Sequence, residues 1–337
     1  MTNMNLADLN KILKSEPAYR QKQIEKLVYR DLIENWREAK ILPLALREKL
    51  DKECPLSINN KIIISDDKKT AKALIILDDN LKIESVLMRY GNSNRNTVCV
   101  SSQVGCPLGC KFCATGKIGF KRNLEPMEII EQVLLFARYL KKEKAKITNI
   151  VFMGMGEPFL NYENVFEAIK ILNDKDCFGL GARHISISTI GITEGIEKMA
   201  EEKLQINLAV SLHSVDNESR SKIIPANKKY PIEKIFKAIE NYLKKTKRRV
   251  MVEYMMMDKV NDSIQDAEKL AKLITQKHLY LVNLILYNPT GIFKPSSKER
   301  IKKFKEVLEK KGISATERYR FGKEIKAACG QLAGGVI

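Results

Sequence analysis

From about residue 97 onward, short apolar runs alternate regularly with longer stretches whose apolar positions recur at helical spacing. TVCVSS (97–102), NIVFMG (149–154), HISIST (184–189), INLAVSL (206–212), VMVEYMM (250–256) and YLVNLILY (280–287) read as strands. Helices are predicted between them, including 126–140, 231–245 and 296–311. Pro126 falls in a first helical turn, where a missing N–H costs nothing. Six strand–helix units in succession predict a parallel sheet with right-handed crossovers. A doubly wound sheet and an incomplete barrel both fit that rhythm, and the polar residues separate them. A cysteine triplet follows the first strand and Gly154–Pro158 the second. Ser188 ends the third, Ser211, Leu212 and His213 the fourth, and Asn288 follows the sixth. Unusual polar residues at so many strand ends predict an α/β fold of the partial (β/α)6 barrel type, with its active face there. Ahead of it, residues 1–58 read as a small helical accessory domain and 59–92 as a β-rich extension (KIIIS, AKALIIL, IESVLMRY). Residues 93–337 form the expected core.

Composition adds a partner to this picture. With 44% hydrophobic and 30% charged residues the chain reads as a soluble globular protein, and no apolar run approaches the ~20 residues that span a bilayer. Its 59 Lys and Arg against 41 Asp and Glu leave a formal charge of +18. Basic clusters recur at Lys121–Arg122, Lys141–Lys146, Lys228–Lys229 and Lys244–Arg249. Solvated helix faces account for one such run. The whole excess favours a polyanion, and nucleic acid over membrane, because no amphipathic helix with an aromatic face accompanies the runs. Seven cysteines without a secretory signal place the expected compartment in the reducing cytoplasm.

The sharpest chemistry lies in CPLGCKFC, where Cys106, Cys110 and Cys113 are spaced C-x3-C-x2-C. Three thiolates can hold a four-iron cluster but leave one iron open to a substrate. A structural zinc site would need C-x2-C pairs and a nearby fourth ligand, and the first candidates, Cys177 and His184, lie more than sixty residues on. Followed by Ala114, Thr115 and Gly116, the triplet resembles the signature of radical S-adenosylmethionine (SAM) enzymes. In those enzymes SAM chelates the open iron, and one electron from the cluster cleaves it to a 5′-deoxyadenosyl radical.

Weaker signals gain meaning from their common face. Gly154 and Gly156 permit close backbone approach, and Glu157 can receive an ammonium, although a plain turn would use the same residues. Strand-end Ser188 and Ser211 can bond ribose or carboxylate oxygens, or simply cap. His213 and Asn288 have equally ordinary readings as a satisfied histidine and a turn asparagine. Cys329 sits among small residues in AACGQLAGG, and Cys99 alternates along the first strand so that it can face a barrel interior or the core.

VCVSSQVGCPLGCKFCATG, KRNL (121–124), VFMGMGEP, SLHSVDNESR, PANKKY (225–230), VEYMM and AACGQLAG together resemble the 23S rRNA adenine-C2 methyltransferases of the RlmN type. Those enzymes also act on certain tRNAs. A sister group, the Cfr type, methylates C8 of the same nucleotide and shares most of these motifs. The stretch 16–29 followed by LREKL is similar to the family's helical RNA-binding domain. The resemblance implies a 4Fe–4S cluster on Cys106, Cys110 and Cys113, two SAM molecules per turnover, and an electron donor such as flavodoxin or ferredoxin. It implies SAM contacts from Gly156, Glu157, Ser188, Ser211, Leu212, His213 and Asn288. It further implies that Cys329 takes a methyl from one SAM by displacement. The radical made from a second SAM then removes hydrogen from that methyl, which adds to the adenine carbon. Cys99 would resolve the thioether crosslink by forming a disulfide with Cys329, and Glu84 would act as proton acceptor. A monomer working on 23S rRNA and tRNA, without a membrane, is the expected state. The family's GDDID reads GKEIK here (322–326) and its NPFPG reads NPTG (288–291), which bears on the substrate more than on the chemistry.

Overall fold

A computed structural model describes residue 9 and residues 12–91, 94–318 and 321–334. The first eight residues of the expected helical domain, with 10 and 11, lie outside the described residues. So do 92–93, 319–320 and 335–337, at the edges of the other expected segments. The strands run β1 (Asn60–Ile64), β2 (Thr70–Ile76), β3 (Lys82–Arg89), β4 (Asn96–Val100), β5 (Gln103–Gly105) and β6 (Phe120–Asn123). They continue with β7 (Asn149–Phe152), β8 (Ile185–Thr189), β9 (Asn207–Ser211), β10 (Val250–Met256), β11 (Tyr280–Leu286) and β12 (Ser314–Glu317). Ten of them make one sheet in the order β1-β2-β3-β4-β7-β8-β9-β10-β11-β12, and β5 and β6 pair separately.

From β4 to β12 every pairing is parallel. The six expected strands are all present in this part, each followed by a helix, and together they form the expected partial barrel. β12 adds a seventh parallel strand. Its SATE sequence is short and mostly exposed, as edge strands often are, and it carries no apolar alternation to betray it. The β-rich extension joins the same sheet: β3 pairs antiparallel with β4, Val86 lying opposite Cys99. Residues 60–89 therefore continue the barrel wall.

Local chemistry sets the outer helices. Helix Pro126–Lys142 begins with Pro126 in its first turn behind a reciprocal Glu125–Glu128 cap, and it buries Ile129, Ile130, Val133, Leu134 and Phe136 on the sheet. Helix Ile232–Thr246 stops where Lys247 turns left-handed. Helix Ala18–Glu25 runs on into Lys26–Arg30, and helix Leu44–Glu53 packs against fully buried Trp36, whose indole N–H donates to the Cys54 carbonyl at 2.6 Å. Arg138 ties that unit to the barrel by donating to the Leu56 carbonyl at 2.8 Å. No helix among the described residues is long and apolar enough to cross a membrane.

Candidate active site

Beyond β4 the chain forms β5, then the cysteine loop, then the short helix Ala114–Lys117 and β6. Gly105 makes this return possible: its φ is +77°, and a Cβ there would sit 1.8 Å from the Gly119 carbonyl. The loop is pinned at several points. Cys106 N–H donates to Gly119 at 2.9 Å, Lys111 N–H to Ile223 at 2.9 Å, and the Thr290 hydroxyl to the Phe112 carbonyl at 2.9 Å. Burial pushes the Cys106 thiol up to about 12 and Cys110 well above its ordinary range, with the neighbouring sulfurs adding to both. Thiols in that position ionise readily only when a cationic centre takes the thiolates. Among the described residues no three His, Cys, Asp or Glu side chains gather as a single-ion site. A donor set of three thiols on one cavity wall instead suits a polynuclear centre with one thiolate per iron.

The same cavity is lined by Gly156, Glu157, Ser188, Ser211, His213 and Asn288. Gly156 has φ +101°, and a Cβ there would lie 2.6 Å from that of Gln103. The Glu157 carboxylate accepts from the backbone N–H of Phe159 (3.1 Å) and Ile190 (2.8 Å). Burial raises its pKa to about 7 against the pull of these hydrogen bonds, a setting that an ammonium group would suit. The Ser188 and Ser211 hydroxyls are 3.2 Å apart. Asn288 donates to the Cys329 carbonyl at 3.2 Å, while its buried Oδ1 has no partner. That orphaned acceptor suits a polar ligand.

His213 is held in the left-handed region (φ +57°), and its Nδ1 accepts from Met255 N–H at 3.1 Å. Burial lowers its pKa to about 3, so it is a neutral acceptor that shapes the wall. Leu212 does not reach the cavity; it is buried behind it, its N–H donating to the Glu253 carbonyl. Glu84 also lies outside the lining, beneath the C-terminal segment.

Cys99 from β4 and Cys329 from the C-terminal segment enter the cavity together. Both are free thiols, and burial pushes Cys99 up to about 12. Arg318 lies beside them: the Cys329 sulfur favours its charge, and that charge offsets a small part of the rise at Cys99. Parallel register explains how Arg318 is supported. Glu253, Asn283 and Thr316 are neighbours across β10, β11 and β12. The Thr316 hydroxyl donates to Asn283 (2.6 Å), Asn283 to Glu253 (2.9 Å), and Glu253 pairs with Arg318 at 3.4 Å.

Sequence reading missed Arg318 and Glu253 as site residues. A carboxylate inside the apolar strand VMVEYMM was a signal, whereas Arg318 sits in a connection whose course no spacing reveals. Also missed was Arg220, fully buried, which donates to the carbonyls of Leu212, Tyr230 and Ile190 and to Asn227 Oδ1 at 2.6–3.0 Å. It fastens the ends of β8 and β9 at the site.

Residues 100–274 match the model of the Radical SAM superfamily. The chain is 46% identical to a "Probable dual-specificity RNA methyltransferase RlmN" of Dictyoglomus turgidum, over 94% of this chain and 91% of the relative. It is 43% identical to a "Ribosomal RNA large subunit methyltransferase Cfr" of Clostridium botulinum, over 94% and 92%. The crystal structure of a radical SAM methyltransferase from Sphaerobacter thermophilus superposes with a TM-score of 0.93 at 42% identity, covering 99% of this chain and 98% of that one. The chain therefore belongs to the radical SAM superfamily, in the branch of the RlmN and Cfr methyltransferases. Its cofactors are those of that family, a 4Fe–4S cluster and SAM.

Proposed function

We propose that this chain methylates C2 of an adenosine in the peptidyl transferase centre of 23S rRNA, and also tRNA, with Cys329 as the methyl carrier. One observation supports it above others: two further sulfurs, Cys99 and Cys329, converge on the cavity that the cysteine triplet lines. A radical SAM enzyme that used its radical directly would need neither. Bound together, the cluster and SAM supply an electrophilic methyl group and one-electron chemistry at an unactivated C–H bond.

Cys106, Cys110 and Cys113 hold the cluster. Glu157 accepts the SAM ammonium beside the backbone at Gly156, and the Ser188–Ser211 hydroxyl pair and Asn288 Oδ1 take its other polar groups. His213 forms part of the wall itself, and Leu212 packs behind it. The Cys329 sulfur attacks the methyl carbon; the new S–C bond forms as the sulfonium bond breaks, and S-adenosylhomocysteine leaves. Arg318 lies beside the Cys329 sulfur during this attack. After the methylene carbon is joined to C2, the adduct gives up one electron to the redox partner and the C2 proton to solvent. The Cys99 thiolate then attacks the Cys329 sulfur: the S–S bond forms as the S–CH2 bond breaks, and the electron pair passes to the adenine side. A proton at the freed carbon completes the methyl group, and a cellular thiol reduces the disulfide before the next turnover.

The helical domain 1–58 carries RNA recognition, with the extension 59–92 and the core 93–337 behind it. The +18 charge supports that reading. A monomer in the cytoplasm, reduced by a flavodoxin or ferredoxin, completes the proposal. RNA affinity is expected to fall by orders of magnitude between about 50 and 200 mM salt. A flat filter-binding profile would make the basic runs mere surface.

Glu157 gives a pH signature. Below about 7 its carboxyl is protonated in the free protein and loses its attraction for an ammonium. SAM affinity is therefore expected to weaken roughly tenfold per unit as pH falls below that value. Glu157→Gln should bind weakly at every pH. Parallel wild-type and variant profiles by calorimetry would remove the contact.

The higher identity to the RlmN relative favours C2 over C8. Mass spectrometry of rRNA and tRNA from a host lacking its own enzyme, complemented with this chain, tests the site. 2-Methyladenosine is expected, and 8-methyladenosine would assign the Cfr-type reaction instead.

A further inference from the structure

Glu84 is buried in β3, 1% exposed, facing Lys72 of the neighbouring β2. The Lys72 ammonium lies 3.0 Å from Oε1, close enough for an ion pair although not aligned as a hydrogen bond. Oε2 is turned the other way. It accepts the backbone N–H of Ala333 at 2.6 Å and of Gly334 at 3.2 Å, so one carboxylate oxygen holds two consecutive amides of the segment that carries Cys329. At Gly334, where φ is +63°, an added Cβ would lie 2.9 Å from the Lys82 carbonyl, so the segment is drawn tightly onto β3.

This is the far anchor of a strap. Its near end is tied to the cysteine loop, because Ala114 N–H, next to Cys113, donates to the Gly330 carbonyl at 2.7 Å. The Thr115 hydroxyl donates to the Leu332 carbonyl at 2.6 Å, and Asn288 to that of Cys329 itself. The strap is short and made of small residues, with glycines in left-handed conformation at 330 and 334. Small side chains bury little surface, so its placement depends on these hydrogen bonds. Glu84 supplies two of them. It does not reach the cavity where the reacting sulfur sits, and both its oxygens already face partners.

We infer that Glu84 is a positioning residue, fixed by Lys72, that clamps the C-terminal strap so that Cys329 is presented to the cavity; it is not the proton acceptor of the reaction. The inference rests on Cys329 being the methyl carrier, and its test separates the two claims. Lys72 is in turn the counter-charge without which a buried carboxylate would be costly to keep.

The reconstituted holoenzyme is assayed three ways: iron content with hydrogen exchange of the 327–334 peptide, methylation of Cys329 from SAM by peptide mass spectrometry, and RNA methylation. Glu84→Ala should keep its iron, lose exchange protection at Ala333 and Gly334, and methylate Cys329 roughly a hundredfold more slowly. Glu84→Gln, made together with Lys72→Met so that no buried ammonium is stranded, keeps an acceptor oxygen for both amides. It should recover strap protection, Cys329 methylation and RNA methylation relative to Glu84→Ala. Loss of RNA methylation in that double variant with normal Cys329 loading would overturn the inference in favour of a proton acceptor. So would a Glu84→Ala protein whose strap stays protected. If Glu84→Ala does not fold, Ala333→Pro decides, since it removes the donor of the shorter bond and leaves Glu84 and Lys72 intact. Slow Cys329 loading is expected there, and wild-type loading would overturn the clamp. A wild-type chain that never methylates Cys329 would defeat the carrier reading alone, while the exchange data would still judge the clamp.

Discussion

Cys99→Ala is expected to fold, load a methyl on Cys329, attack its RNA and then stop as a covalent protein–RNA species. Cys99 sits in β4 between Val86 of β3 and Val151 of β7, so its side-chain direction is set by sheet register. It faces the cavity with Cys329, and in the proposed reaction its thiol releases the crosslink. A nuclease-sensitive band shift on a denaturing gel reports the trapped species. Cys329→Ala should give no such band and no methylated RNA, although its cluster still forms. If Cys99 were only a core residue, the alanine would cost about 1–3 kcal/mol and trap nothing. A folded Cys99→Ala enzyme that turns over normally would refute its role.

Removal of any one cluster thiol is expected to have the largest effect. Cys106→Ala, Cys110→Ala and Cys113→Ala should each abolish the brown colour of the anaerobically purified protein and reduce SAM cleavage to background. Three thiolates leave no spare ligand. The three variants should nonetheless remain folded, because the loop is also held by Gly119, Ile223 and Thr290. Cysteine content of the loop and fold stability are thus separable by circular dichroism. Full iron in any of the three would remove the central metal assignment.

The barrel was legible because its strands are apolar runs that parallel burial demands, and because helix starts such as Glu125–Pro126 carry their own signals. β12 escaped, since Ser314–Glu317 pairs through backbone at an edge and needs no apolar side chains. The strand-end residues were legible in kind: Gly156, Glu157, Ser188, Ser211, His213 and Asn288 do share one cavity with the cysteine triplet. Leu212 was drawn in by its place between Ser211 and His213, but strand alternation sends it behind the wall. Glu84 shows the limit most plainly. Its sequence context says only that a charge lies on a strand, and its partners, Ala333 and Gly334, are about 250 residues away. Arg318 escaped for the same reason, its role being defined by a cross-strand row that runs through Glu253, Asn283 and Thr316.

The carrier claim is tested most directly by a pulse and chase on the holoenzyme. Cys329 is loaded from SAM carrying a carbon-13 methyl, free SAM is removed, and RNA is added with unlabelled SAM for one turnover. A methyl that passes through Cys329 must appear in the first-turnover adenosine as carbon-13, with the label lost from the Cys329 peptide in equal amount. First-turnover adenosine that carries only unlabelled carbon, with the label still on Cys329, would contradict the account.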